Sequence, residues 1–209
     1  MAKVFIDGEA GTTGLQIRER LAETQSVDVI SIDNDQRKNA DARREMMRLA
    51  DLTVLCLPDD AAREAVALAG ELGSDAPKII DASTAHRTSP DWVYGFPELA
   101  PGQADEISAA TRVANPGCYA TGAIALIRPL IEAQIVRPSQ SFTINAVSGY
   151  TGGGKSMISA YEAGTAPRFE LYGLGLSHKH IPEVMKHTGL TQKPIFVPSV
   201  GAFPQGMLV

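Results

Sequence analysis

Lys3-Val4-Phe5-Ile6-Asp7-Gly8-Glu9-Ala10-Gly11-Thr12-Thr13-Gly14 decides the fold. The apolar residues up to Asp7 read as a strand, and the glycines turn the chain directly into a helix running to about Glu23. The spacing is a G-x-x-G-x-x-G variant of the dinucleotide fingerprint. Its glycines permit a tight turn, the close approach of a pyrophosphate and tight packing of helix on sheet, with the phosphates resting on the helix N-terminus. A glycine triplet alone is weak, and a Gly-rich turn in another α/β protein is the competing reading. The context is stronger, because a second strand over residues 27–32 completes a βαβ unit. Gly8, Gly11, Thr12, Thr13 and Gly14 are therefore candidate cofactor contacts, and Ser31 near the end of the second strand is another.

The alternation continues with a helix over 40–49, a strand over 52–57, a helix over 60–72 and a strand over 78–82, which indicates a parallel, doubly wound sheet. Such sheets bind ligands at the carboxyl ends of their strands. Pro58 and Ser83 fall there and are candidate cofactor contacts. Arg87, in Ser83-Thr84-Ala85-His86-Arg87, could clamp a phosphate or carboxylate through its planar fork, or be a solvated surface arginine. Asp33 stands where an acid commonly takes the NAD ribose, which favours NAD, whereas Arg37 and Lys38 could receive the 2′-phosphate of NADP.

A lone cysteine organises the chemistry. In Asn115-Pro116-Gly117-Cys118-Tyr119-Ala120-Thr121, Pro116-Gly117 break a short strand over 112–114, and Ile124, Leu126 and Ile127 have the spacing of a buried helix. Cys118 sits in the first turn of that helix, where unpaired backbone N–H groups and the helix dipole favour a thiolate, so it reads as a nucleophile rather than as core packing. Cys56, inside Leu52-Thr53-Val54-Leu55-Cys56-Leu57, reads as buried packing.

Composition narrows the remaining classes. With 209 residues, 44% of them hydrophobic and 21% charged, the chain can bury a core or two. The net charge of -5 gives no nucleic-acid footprint. No apolar run approaches the roughly 20 residues of a membrane span and no signal sequence precedes the first strand, so a cytosolic protein is expected. Two cysteines make no disulfide framework, and no Cys/His cluster has zinc spacing, so no metal is expected.

Beyond Cys118 the pattern changes. A strand over 140–147 leads into Ser148-Gly149-Tyr150-Thr151-Gly152-Gly153-Gly154-Lys155-Ser156 and a helix over 157–162. Gly149 through Ser156 satisfies the P-loop pattern G-x-x-x-x-G-K-[ST], which makes a nucleotide kinase or NTPase the rival reading. Against it, the first fingerprint and Cys118 go unexplained, and no acidic magnesium strand follows. In Ser177-His178-Lys179-His180-Ile181-Pro182-Glu183, Pro182 suits a helix start, so His178 and His180 are expected just before it as candidate acid/base groups. His86 and His187 carry no assignment. The domain change is expected near Gln140, giving domains 1–140 and 141–209.

Together, residues 8–14, Gly95-Phe96-Pro97-Glu98-Leu99, the cysteine motif, residues 148–155 and His178-Lys179-His180-Ile181-Pro182-Glu183 resemble the N-acetyl-gamma-glutamyl-phosphate reductases in their shorter form, within the wider semialdehyde dehydrogenase group. The resemblance runs through the whole chain. It implies an α/β, doubly wound NADP-binding domain followed by an α+β domain for substrate and oligomerisation. It also implies NADPH-dependent reduction of an acyl phosphate through a thioester on Cys118, with a histidine, His180 ahead of His178, as acid/base. Asn115, Ser148, Gly149 and His178 become substrate-side residues, and Arg87, Lys155 and Arg168 candidates for the phosphate and carboxylates. The apparent P-loop becomes a substrate-side loop. The implied product is N-acetyl-glutamate semialdehyde, in arginine biosynthesis, and the implied assembly a homo-dimer or tetramer. An aspartate-semialdehyde-type enzyme is the near alternative. Relatives of this kind continue past Val209, and the apolar end Met207-Leu208-Val209 lacks a cap, so an incomplete second domain is expected.

Overall fold

Along β1 (Ala2–Asp7) side chains alternate between the two faces of the sheet, and both faces are buried. A computed structural model describes residues 1–209 in two units, Met1–Asn115 and Pro116–Val209. In the first unit Phe5 packs with Met47, Leu55, Ala62, Ala65, Leu68 and Ile79 on one face, while Val4, Ile6 and Val54 meet Ile17 and Leu21 on the other. Met47 belongs to α2 (Ala40–Leu49) and Ala62, Ala65 and Leu68 to α3 (Asp59–Gly70) on the first face, and Ile17 and Leu21 to α1 (Thr12–Ala22) on the second, the other partners being neighbouring strand residues. Helices on both faces are what a parallel sheet requires. Each fully buried side chain of Phe5's class contributes about 2–3 kcal/mol of transfer free energy.

The remaining strands are β2 (Val27–Ile30), β3 (Leu52–Leu55), β4 (Lys78–Asp81), β5 (Val93–Tyr94) and β6 (Arg112–Ala114), in the order β2-β1-β3-β4-β6-β5, all parallel. Between β5 and β6 runs α4 (Gln103–Ala109). The sequence pattern gave no sign of β5 or α4, since a two-residue strand has no period to read.

The second unit holds α5 (Cys118–Glu132), β7 (Thr143–Gly149), α6 (Lys155–Glu162), β8 (Phe169–Leu171), α7 (His180–Thr188), β9 (Ile195–Gly201) and β10 (Met207–Leu208). Its sheet is mixed, in the order β10-β7-β9-β8, with only β7 and β9 parallel. Ile144, Ala146, Phe196 and Val200 are buried on one face. On the other, Ile195, Phe169, Leu171 and Leu208 stay exposed. The boundary near Gln140 falls inside this unit, because α5 packs on α7 and is tied to it by hydrogen bonding. No helix is long and apolar enough to cross a membrane.

Gly8 opens the turn after β1 at φ 91°, and a Cβ there would lie 2.3 Å from the Cys56 carbonyl oxygen. Gly8→Ala is therefore expected to lower unfolding free energy by at least about 2 kcal/mol in urea titrations. Gly70→Ala, in open space at the end of α3, should instead be neutral or stabilising by roughly 0.5 kcal/mol.

Candidate active site

The glycine turn leads into a helix start that no side chain caps. Gly11 is the N-cap of α1, no side chain caps it, and the first turn carries no acidic residue. Its N–H groups are thus available to an anion, as a dinucleotide pyrophosphate requires. Asp7, at the end of β1, is held from behind by Arg43 of α2, whose Nε and Nη2 both donate to Oδ2 at 3.1 and 2.9 Å while Nη1 donates to Glu64 at 2.8 Å. Burial pushes the Asp7 carboxyl up, against the pull of Arg43. Thr12, Thr13 and Gly14 lie in the first turn of α1, and Ser31 follows directly on β2. Arg37 and Lys38 are exposed in the turn beyond. This set of residues fits a dinucleotide.

Pro58 and Ser83 stand at the carboxyl ends of β3 and β4, as read from the sequence. Pro58 is the N-cap of α3, and the Asp59 carboxylate beside it accepts from the Thr84 backbone N–H and hydroxyl at 2.9 and 2.5 Å. Ser83 is buried and donates its hydroxyl to Asp81 at 2.7 Å, and Asp81 also meets His86 Nδ1 at 2.6 Å. His86 in turn stacks on Trp92. Arg87 is buried, with Nε donating to the Asn115 carbonyl at 2.9 Å and Nη2 to that of Ala82 at 3.0 Å. The fork expected to clamp an anion is here spent on tying two strand ends together. Asn115 itself is exposed, its N–H bonded to Asp81 O.

In the second unit Cys118 is the first residue of α5, as expected, and it is exposed. Its N-cap, Gly117, donates its backbone N–H at 2.7 Å to Oε1 of Glu183, a carboxylate only 1% exposed on α7. His180 is the first residue of α7 rather than its forerunner, and Pro182 lies within the first turn, where a missing N–H costs nothing. His178 precedes it, and its Nδ1 accepts the His180 backbone N–H at 3.1 Å. Burial, and then the charge of Lys179, lower the His178 pKa, so the ring is neutral at pH 7 with its proton on Nε2. The two rings meet edge to face at 4.7 Å.

Tyr119 extends this cluster, and the sequence reading missed it. Its hydroxyl donates to Ser148 Oγ or the Ser199 carbonyl at 2.8 and 3.0 Å and accepts from Tyr172 at 3.1 Å. Burial, followed by the bond to Tyr119, raises the Tyr172 pKa, so this hydroxyl remains a donor. The position of Tyr119 next to Cys118 was the one available signal. For Tyr172 and Glu183 only the fold supplies it.

The loop with the P-loop pattern has the strand before it and the helix after it, yet its first three N–H groups and that of Gly154 are committed elsewhere. The N–H groups of Gly149, Tyr150 and Thr151 donate to the carbonyls of Gly206, Phe203 and Pro204, and Gly154 N–H donates to Thr151 O. A Cβ on Gly149 would lie 2.7 Å from Pro204 O, so this glycine serves close backbone packing. N–H groups so engaged cannot cradle phosphates. Lys155, the first residue of α6, and Arg168 are both exposed cations of this unit.

A glycine-turn unit with a parallel sheet, followed by a mixed-sheet unit with a cysteine at one helix start and paired histidines at another, is the arrangement of a dinucleotide-dependent dehydrogenase that carries a thiol. Residues 3–107 match the family described as "Semialdehyde dehydrogenase, NAD binding domain", and residues 118–209 match "Semialdehyde dehydrogenase, dimerisation domain". The N-acetyl-gamma-glutamyl-phosphate reductases of Brucella ovis and Brucella anthropi are each 56% identical over 99% of this chain and 68% of their own length. The chain belongs to the semialdehyde dehydrogenase family, within its N-acetyl-gamma-glutamyl-phosphate reductases. Among solved structures, aspartate semialdehyde dehydrogenase II of Vibrio cholerae shares the fold at a TM-score of 0.68 and 15% identity, over 99% of this chain and 72% of that one. The Candida albicans aspartate semialdehyde dehydrogenase solved with NADP does so at 0.62 and 13%, over 99% and 70%.

The two cysteines should react very differently. Burial, with Asp7 and Asp81 adding to it, pushes the Cys56 thiol up to about 11, so it stays protonated and inert at neutral pH. Limited iodoacetamide at pH 7.5 should label Cys118 roughly tenfold or more faster than Cys56. Peptide mass spectrometry showing Cys56 modified first would overturn this order.

Proposed function

We propose that this chain carries out the NADPH-dependent reduction of N-acetyl-glutamyl 5-phosphate to N-acetyl-glutamate 5-semialdehyde and phosphate, in arginine biosynthesis in the cytoplasm. The observation that carries the reading is the bond from Gly117 N–H to Glu183, because it ties the helix start bearing Cys118 to the helix start bearing His180. The Cys118 thiolate attacks the acyl-phosphate carbonyl, the C–O bond to phosphate breaks, and an acyl thioester remains on sulfur. NADPH, when bound, supplies a hydride to the carbonyl carbon. His180 protonates the oxyanion that develops there and takes the proton back as the hemithioacetal collapses, returning the thiolate. His178, neutral and fixed through Nδ1, orients the start of α7.

Tyr119 holds Ser148 on the substrate side, and Lys155 and Arg168 supply exposed positive charge for the phosphate and carboxylates. Gly8, Gly11, Thr12, Thr13, Gly14, Pro58 and Ser83 frame the dinucleotide. The dimerisation-type second unit associates with another copy through the exposed face that carries Ile195, Phe169 and Leu171, giving a homo-dimer or a tetramer.

The substrate is tested by phosphate-dependent NADP reduction with N-acetyl-glutamate semialdehyde and aspartate semialdehyde side by side. The first should be turned over at least about a hundredfold faster in kcat/KM, the scale expected of pocket contacts to an extra acyl group. Equal rates, or a preference for the second, would reject the substrate assignment. His180→Asn should retain alkylation of Cys118 and lose about 10²-fold or more in kcat. If His178→Asn is the more damaged variant, the acid/base is His178. Full activity in Cys118→Ala would remove the thioester altogether.

A further inference from the structure

We infer that Arg18, acting with Ser31, reads the adenosine 2′-phosphate of the cofactor, an inference that rests on the NADP reading above. In a doubly wound sheet the adenosine ribose lies at the carboxyl end of the second strand, where an acid selects NAD and an arginine accommodates the 2′-phosphate. The strand β2 ends at Ile30, so the residue in that place is Ser31, a neutral hydroxyl that repels no anion. Asp33 falls further on, in the turn where its carbonyl accepts from Gln36 N–H. The expectation that an acid at this point favours NAD is thereby answered by the register of the strand end.

Arg18 is placed to span the two parts of the cofactor. It sits on α1, the helix whose uncapped start faces the pyrophosphate position, and its Nη1 reaches across to donate to Ser31 Oγ at 2.5 Å. The same guanidinium is ion-paired with Glu9, inside the glycine turn. The side chain is 44% exposed, so an anion can reach it and the fold does not depend on it. A planar fork already aimed at a hydroxyl on the ribose side matches a phosphate bidentately. Arg37 and Lys38 lie on the exposed turn between Asp33 and the Asn39 cap of α2. Glu9 is the built-in competitor, since its carboxylate holds the guanidinium that the phosphate would take.

The test is equilibrium binding by calorimetry, at one ionic strength, of NADP, NAD, adenosine 2′,5′-bisphosphate and 5′-AMP. Arg18→Leu should weaken NADP and the bisphosphate by about tenfold or more and leave NAD and 5′-AMP within about twofold, the share of one charge-assisted phosphate contact. Glu9→Gln should tighten the two phosphorylated ligands alone. A preference for them that survives in Arg18→Leu but disappears in the Arg37→Ala/Lys38→Ala double variant overturns the inference and leaves the NADP reading standing. Equal losses for all four ligands in Arg18→Leu also overturn it. A parent chain that holds bisphosphate and 5′-AMP equally well overturns the NADP reading, and this inference with it.

Discussion

A buried carboxylate on a backbone N–H sets the geometry of the second unit. Glu183 is almost wholly withdrawn from water, and a buried carboxylate is tolerated only where donors satisfy it. Its donor is the N-cap N–H of α5, one of the groups a helix start leaves without an intrahelical partner. Each need answers the other. The bond joins residues 66 positions apart, so the cysteine turn cannot shift without taking a donor away from a buried carboxylate. The histidine at the head of α7 is carried on the same helix as the carboxylate, one turn earlier. The relation between thiol and ring is therefore a property of two rigid helices rather than of the loops that lead into them.

The first unit solves a different problem, which is to offer an anion site without spending charge on it. Its sheet is buried on both faces, so a ligand meets it at the carboxyl ends of the strands and the helix starts that follow them. There the polar groups are paired among themselves: Asp7 with Arg43, Asp81 with Ser83 and His86, Asp59 with Thr84. The start of α1 lacks such a partner. Around it sit fixed side chains whose own needs are met, which keeps the turn in one conformation and reduces the ordering a ligand must impose.

How much of this was legible follows from how each element is encoded. Helix α2 emerged with its full bounds, because Asn39 caps it and Arg43 and Met47 repeat on one face. The start of α5 at Cys118 was equally plain from Pro116-Gly117. Strand β8 and the β5–α4 excursion were not, since a strand of two or three residues is specified by the partner it pairs with, Ala114 or Ser199, and carries no period of its own. The unit boundary was misplaced for a related reason. A change of sequence pattern at residue 140 is local, whereas the allegiance of α5 is decided by a contact with α7. Pro182 suits the first turn of a helix, but every position in that turn lacks an intrahelical acceptor for its N–H, so His180 precedes it inside the helix instead of before it. Within the site, Cys118 and the histidines were readable as residue types at a helix start, while Tyr119, Tyr172, Glu183 and Arg18 acquire meaning only from what they touch.

The loop after β7 shows why spacing alone is an incomplete statement of chemistry. A phosphate cradle is made of N–H groups that have nothing else to bond, so the question a P-loop pattern poses is where those groups point. In this chain the segment of residues 203–206 answers it by taking three of them in turn through its carbonyls. The glycine that opens the pattern is needed there because that segment lies against its Cα, at a distance no side chain would permit. The same letters thus encode a close backbone crossing, in which β10 is delivered to the edge of β7 and the strand end bearing Ser148 is held. What distinguishes the two outcomes is a second stretch of chain more than fifty residues away, and Thr151 fastens both its N–H and its hydroxyl to it, at Pro204.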